Sequence, residues 1–143
     1  NSKTIGAGAP FKFMATVTPF VYNAILERVV DGDTIDVTLD LGFNVFLHKQ
    51  RCRLAGIDTP ESRTRNLAEK ALGKKASARL KEVCVGSFKI QSLGKGKYGR
   101  ILAIPYTEDG QDICQMLIKE GHAVEYWGGT KKAKVRDDGT WGE

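Results

Sequence analysis

Asp31-Gly32 sits between two runs rich in β-branched residues, Val21 to Val30 and Thr34 to Leu39, and no other stretch constrains the fold as much. An Asp-Gly pair takes the positive backbone dihedrals of a tight hairpin turn at little cost, so the two runs are expected to pair as antiparallel strands. Asp40-Leu41-Gly42 supplies the next turn, and Phe43 to Ile57 reads as a long third strand. Both parities of that strand are mixed: Val45, Leu47, Lys49, Arg51 and Arg53 fall on one, Phe46, His48, Gln50, Cys52 and Leu54 on the other. A bend or bulge inside it is therefore expected.

From Asn66 to Val83 the period becomes helical. Ala68, Leu72, Ala76, Leu80 and Val83 form one stripe, with Glu69, Lys70, Lys74, Lys75, Arg79 and Lys81 mostly off it. Ser87 to Leu93 and Ile101 to Tyr106 read as two more strands around a glycine- and lysine-rich loop. Ile113, Met116 and Leu117 mark a short second helix with Gly121 as the residue after its cap. The order predicts a mainly β chain with α (α+β): a five-stranded OB-type barrel, one helix between strands 3 and 4, and a second after strand 5. Residues 1–20 are expected as an N-terminal extension, with Met14 as the natural start, 21–127 as the barrel domain, and 128–143 as a polar C-terminal tail without apolar periodicity.

A chain of 143 residues that is 41% hydrophobic and 27% charged has the means to bury a core, which excludes a wholly disordered protein. Its net charge of +5 suits a polyanionic partner without specifying one. Cys52, Cys84 and Cys114 have no C-x-x-C spacing, so they are expected as small core residues, not zinc ligands or disulfides. No apolar run approaches the ~20 residues of a membrane helix.

Three polar corners carry the chemistry: Asp31-Gly32-Asp33-Thr34, the stretch from Arg53 to Asp58-Thr59-Pro60-Glu61, and Lys97-Tyr98-Gly99-Arg100. Pro60 fixes its own φ and pushes Thr59 towards extended geometry, so Asp58 and Glu61 stand on a stiff corner. Acids for a hard cation, a spare carboxylate and two arginines are the parts for metal-assisted attack on a phosphodiester. Each motif alone has a plainer reading: a turn, a helix entry and a solvated basic loop. Their joint occurrence in this order outweighs those readings.

In that order the motifs resemble those of the staphylococcal nuclease (thermonuclease) family, over about Val21 to Trp127. The resemblance implies a calcium-dependent OB-barrel nuclease acting on DNA and RNA, with single strands preferred. It implies that Asp33 and Asp58 ligate Ca2+ through their carboxylates and Thr59 through its backbone carbonyl, with Asp31 close to the metal but not a ligand. Glu61 would be the general base, Arg53 and Arg100 would grip the phosphate, and Lys97 and Tyr98 would contact a terminal phosphate. The family places a base-stacking tyrosine where this chain has Trp127, preceded by Tyr126, and either ring suits that task. The family's third, C-terminal helix is not expected here, and Lys131, Lys132, Lys134 and Arg136 read as charges on a tail.

Nucleic acid is thus the expected partner, with no membrane association and a monomeric state. The absence of a signal pattern and the unpaired cysteines favour the cytoplasm, and secretion is expected if a signal was removed. Two other readings stand beside this one: a non-catalytic OB-fold nucleic-acid-binding module, and a phosphodiesterase for small nucleotides. The complete set of acids and arginines argues against the first.

Overall fold

The computed structural model describes residues 19–96 and 99–143. Its barrel strands are β1 (Val21–Asp31), β2 (Thr34–Asp40), β3 (Phe46–Leu54), β5 (Ser87–Lys95) and β6 (Ile101–Tyr106). They close in the order β1-β2-β3-β6-β5, with β5 returning to β1. Helix α1 (Leu67–Val83) lies between β3 and β5, and α2 (Ile113–Lys119) follows β6. This is the expected α+β barrel of OB type. Among the described residues no helix is long and apolar enough to cross a membrane.

The hairpin forms where the Asp-Gly signal put it, with Asp31 opposite Thr34. Alternation then sends Ile35, Val37 and Leu39 of β2 into the core beside Cys52 and Leu54 of β3 and Phe88 and Ile90 of β5. The expected irregularity in the third strand sits opposite Thr38: Val37 pairs with Gln50 but Leu39 with Leu47, so β3 carries an extra residue there. Lys49, inside that bulge, has φ 56°. The third strand is shorter than predicted. It stops at Leu54, Gly56 turns the chain with φ 76°, and Ile57–Asp58 restart as a separate strand, β4, paired with β7 (Val124–Glu125).

One junction of the barrel is parallel. β3 runs beside β6 with Cys52 opposite Ile101 and Arg53 opposite Leu102, so Arg53 stands near the start of β6, which Arg100 precedes. The helices plug the barrel with Ala76, Leu80, Ile113, Cys114 and Leu117, all buried. The three cysteines are free and buried, and burial pushes each thiol up to about 12, so they act as inert core residues.

The buried face of α1 differs from the predicted stripe. Ala68 is exposed and Leu72 and Val83 only half-buried, while Gly73, Ala76 and Leu80 form the seam. The reason is that the first turns of α1 lie under a polar corner, not an apolar surface, and only a glycine fits there.

The segment read as a polar tail also has structure. Lys134–Val135 (β8) and Trp141–Gly142 (β9) pair as a short hairpin, and Trp141 is buried. One large indole provides the apolar anchor that the segment's periodicity does not display.

Candidate active site

The open end of the barrel near β3, β4 and the start of β6 holds a cavity of about 180 Å³. It is lined by Asp31, Asp33, Arg53, Asp58, Thr59, Glu61, Arg100 and Lys131, along with Thr34 and Pro60. The three polar corners of the sequence and a fourth stretch, at Lys131, therefore meet in one place.

Asp33 follows the hairpin turn, and its Oδ1 accepts from the Thr34 hydroxyl at 3.0 Å. Its Oδ2 lies 3.5 Å from Nη2 of Arg53. The guanidinium is anchored by donating to the carbonyls of Leu54 (2.6 Å) and Ile57 (2.8 Å), across the Gly56 turn. Two of its five N–H donors are used in this way, which orients the fork and leaves donors for an anion. Asp31 is committed elsewhere: its Oδ1 accepts from the hydroxyl of Ser62 at 2.5 Å and from the backbone N–H of Ser62 at 3.3 Å.

Asp58 is only 5% exposed. Burial holds its carboxyl above the ordinary value, helped by Asp33 and opposed by Lys131 and Arg53. Lys131 is its ion-pair partner, with Nζ 3.6 Å from Oδ1, at the long end of such contacts. Thr59 is buried beside it, and its Oγ1 has no hydrogen-bond partner among the described residues. Two adjacent carboxylates, one of them desolvated and under-compensated, are hard oxygen donors suited to a calcium ion completed by a carbonyl and water. Among the described residues no group of three or more His, Cys, Asp and Glu is gathered as a metal site.

Glu61 is exposed on the rim. Its position is set by residues that the sequence reading did not single out. Asn66 caps α1 by accepting from the N–H of Glu69, and Glu69 Oε2 in turn accepts from the backbone N–H of Glu61 at 3.0 Å. Gly73 lets the helix approach the corner: a Cβ there would stand 2.6 Å from the carbonyl carbon and oxygen of Glu61. At Gly32 a Cβ would stand 2.8 Å from that of Ala76 and 3.0 Å from Thr59 Oγ1. Helix, hairpin turn and acidic corner are thus in backbone contact through two glycines.

A shallow cleft of about 200 Å³ adjoins the site and shares Arg53 with it, lined also by Leu54, Gly56, Leu102, Tyr126, Trp127 and Gly128. The Trp127 ring rests against Gly56, where a Cβ would come within 2.4 Å of it, and is 69% exposed. Tyr126 is half-buried and donates its hydroxyl to the carbonyl of Gly129 at 2.6 Å. Of the two rings, Trp127 is the one presented to solvent. Lys97 and Tyr98 lie outside the described residues.

On the far side of the Asp58–Glu61 corner a second cavity of about 390 Å³ is walled by the C-terminal hairpin, through Lys131, Lys134, Val135 and Trp141. The indole Nε1 of Trp141 donates to the Asp58 carbonyl. These residues belong to the supposed tail, and no periodic signal could have found them. The Gly-Thr-Trp ending that buries Trp141 was the one available hint.

Comparison with known proteins gives the family. Residues 51–139 match the family described as Staphylococcal nuclease homologue, a span that takes in Lys131 and much of the hairpin. The chain is 40% identical to Endonuclease YncB of Bacillus subtilis over 106 residues, which are 71% of this chain and 46% of that protein. It is 44% identical to SPbeta prophage-derived endonuclease YokF of the same organism, over 71% of this chain and 33% of the relative. Thermonuclease of Staphylococcus intermedius is 35% identical over 124 residues, 83% of this chain and 68% of that one. The chain spans less than half the length of the two Bacillus relatives. With the family match covering well over half its residues, this chain belongs to the staphylococcal nuclease homologue family.

Proposed function

We propose that the chain is a calcium-dependent nuclease that hydrolyses phosphodiester bonds of DNA and RNA as a monomer, with single strands preferred. The observation that carries this reading is the convergence of Asp33, Asp58, Glu61, Arg53 and Arg100 on one cavity. Relatives named endonuclease and thermonuclease support it.

In this reading Asp33, Asp58 and the carbonyl of Thr59 hold Ca2+. When bound, the ion supplies charge neutralisation and Lewis-acid polarisation of the phosphate. Glu61 takes the proton of the attacking water from the rim, a role that typically contributes ~10²–10⁴-fold. Arg53, pre-oriented by the Leu54 and Ile57 carbonyls, donates to a phosphate oxygen together with Arg100, and both stay charged at working pH. Trp127 stacks on a base next to the scissile bond, and a single strand can offer that base because it is not already paired. Lys97 and Tyr98 contact a terminal phosphate.

The test is digestion of denatured DNA with calcium, with magnesium and with a chelator, wild type beside Glu61→Gln. Calcium-dependent cleavage that falls by at least ~10²-fold in the variant is the expected result. If folded protein bound the DNA and cut it with neither metal, the non-catalytic binding module would replace this reading.

A further inference from the structure

Lys131 lines the cavities on both sides of the Asp58–Glu61 corner. Its Nζ is 3.6 Å from Asp58 Oδ1, and its side chain is 55% exposed where that of Asp58 is only 7%. The same ammonium lies 5.7 Å from the centre of the Tyr126 ring. The segment carrying it is pinned at both ends, by the Tyr126 hydroxyl on the Gly129 carbonyl and by the Trp141 indole on the Asp58 carbonyl. Lys131 is therefore delivered to Asp58 by the fold.

Its electrostatic task is legible from the neighbours. Asp58 is buried next to Asp33, and the nearest guanidinium, Arg53, is already engaged by two carbonyls and by Asp33. We propose that Lys131 is the built-in counter-cation of this site, compensating Asp58 in the metal-free protein and giving way when a divalent cation binds. The proposal rests on the reading of Asp58 as a metal ligand. Calcium bonds carboxylate oxygens at ~2.3–2.6 Å, so an ion on either oxygen of Asp58 would stand within roughly 8 Å of the ammonium in its present place. Like charges at that separation repel, and the long lysine stem gives the ammonium freedom to withdraw towards the Tyr126 ring. Lys131 accordingly stabilises the metal-free fold and weakens the metal.

The experiment measures calcium binding by calorimetry, and thermal unfolding in chelator and in saturating calcium, for wild type, Lys131→Met, Lys131→Arg and Asp58→Asn. Lys131→Met keeps the apolar stem and removes the charge. It is expected to bind calcium about tenfold more tightly than wild type, an effect limited by the exposure of the ammonium. It should also melt below wild type in chelator, with the difference closing in calcium. Lys131→Arg, which keeps the charge, should stay within about twofold of wild-type affinity. Equal or weaker calcium binding by Lys131→Met, with Asp58→Asn abolishing it, overturns the counter-cation and leaves the metal reading intact. If neither wild type nor Lys131→Met binds calcium, or if Asp58→Asn binds like wild type, the metal reading itself falls and takes the proposal with it.

Discussion

The indole Nε1 of Trp141 donates to the backbone carbonyl of Asp58 at 3.1 Å, across 83 positions of the sequence, and the bond is buried. It joins the last strand of the protein to the first residue of the acidic corner. The acceptor belongs to the peptide between Asp58 and Thr59, so the bond tethers the backbone from which two candidate metal ligands project. Trp141→Phe keeps most of the apolar volume and leaves that carbonyl without its partner. It should cost about 1 kcal/mol of stability and loosen calcium binding several-fold. Chemical denaturation and calorimetry on the same preparation check this; a stability loss with unaltered calcium affinity would reduce Trp141 to a packing residue.

Gly73 is a mid-helix glycine, where alanine ordinarily gains about 1 kcal/mol. Here the added Cβ meets the carbonyl carbon and oxygen of Glu61 at 2.6 Å, and backbone cannot swing aside as a side-chain tip does. The clash wins. Gly73→Ala should destabilise the fold by about 1–3 kcal/mol and, by shifting Glu61, lower turnover by about tenfold or more. A melt combined with turnover at saturating substrate decides the matter. A stabilised, fully active variant would show that the corner tolerates being moved.

Trp127 is largely exposed on the cleft, whereas Tyr126 spends its hydroxyl on Gly129. Trp127→Ala should therefore weaken oligonucleotide binding by about 1–3 kcal/mol. Tyr126→Ala should act chiefly on stability, through the loop its hydroxyl holds. Fluorescence-anisotropy titration with a non-hydrolysable oligonucleotide analogue gives both affinities. Equal binding losses in the two variants would make the stacking wall a joint one.

Asp58 gives the fold an unusual pH dependence. Burial, aided by Asp33 and only partly opposed by Lys131 and Arg53, holds its folded-state value above the ordinary 3.8. The folded protein thus retains this proton more firmly than the unfolded chain. The ionised form is the unfavourable one, and its cost is absent below the ordinary value and grows as pH rises through the raised one. In chelator, Asp58→Asn should melt above wild type at pH 7, with the advantage fading as pH falls through that window. On the proposed metal reading calcium should reverse the order, since a metal ligand must be ionised. A melting difference that does not change with pH would rule out this account.

Local chemistry was readable wherever it was also repetitive or stiff. The Asp31-Gly32 turn, the alternation of Ile35, Val37 and Leu39, and the helical period after Asn66 each report a preference that few neighbouring residues can satisfy, and each appears where it was predicted. The candidate site was readable for a different reason. Its acids and arginines lie in short motifs at hairpin and strand ends, so their side chains could be named without knowing what surrounds them. The failures share a cause as well. The third strand ends earlier than its pattern predicts because the chain turns at Ala55-Gly56, where Arg53 bridges the Leu54 and Ile57 carbonyls, an interaction with no pattern in sequence.

By itself, then, the sequence determined the five barrel strands, the two helices, the barrel they build and the identity of the acids and arginines, because these depend on period, turn preference and charge carried by neighbouring residues. Only the tertiary structure decided how the corner is held. Gly73 and Gly32 matter through what a Cβ would strike, Glu69 through a peptide eight positions back, and Trp141 and Lys131 through an aspartate far up the chain. Contacts of that kind arise from close packing between distant segments, and packing at that range leaves no periodicity in the residues that take part in it.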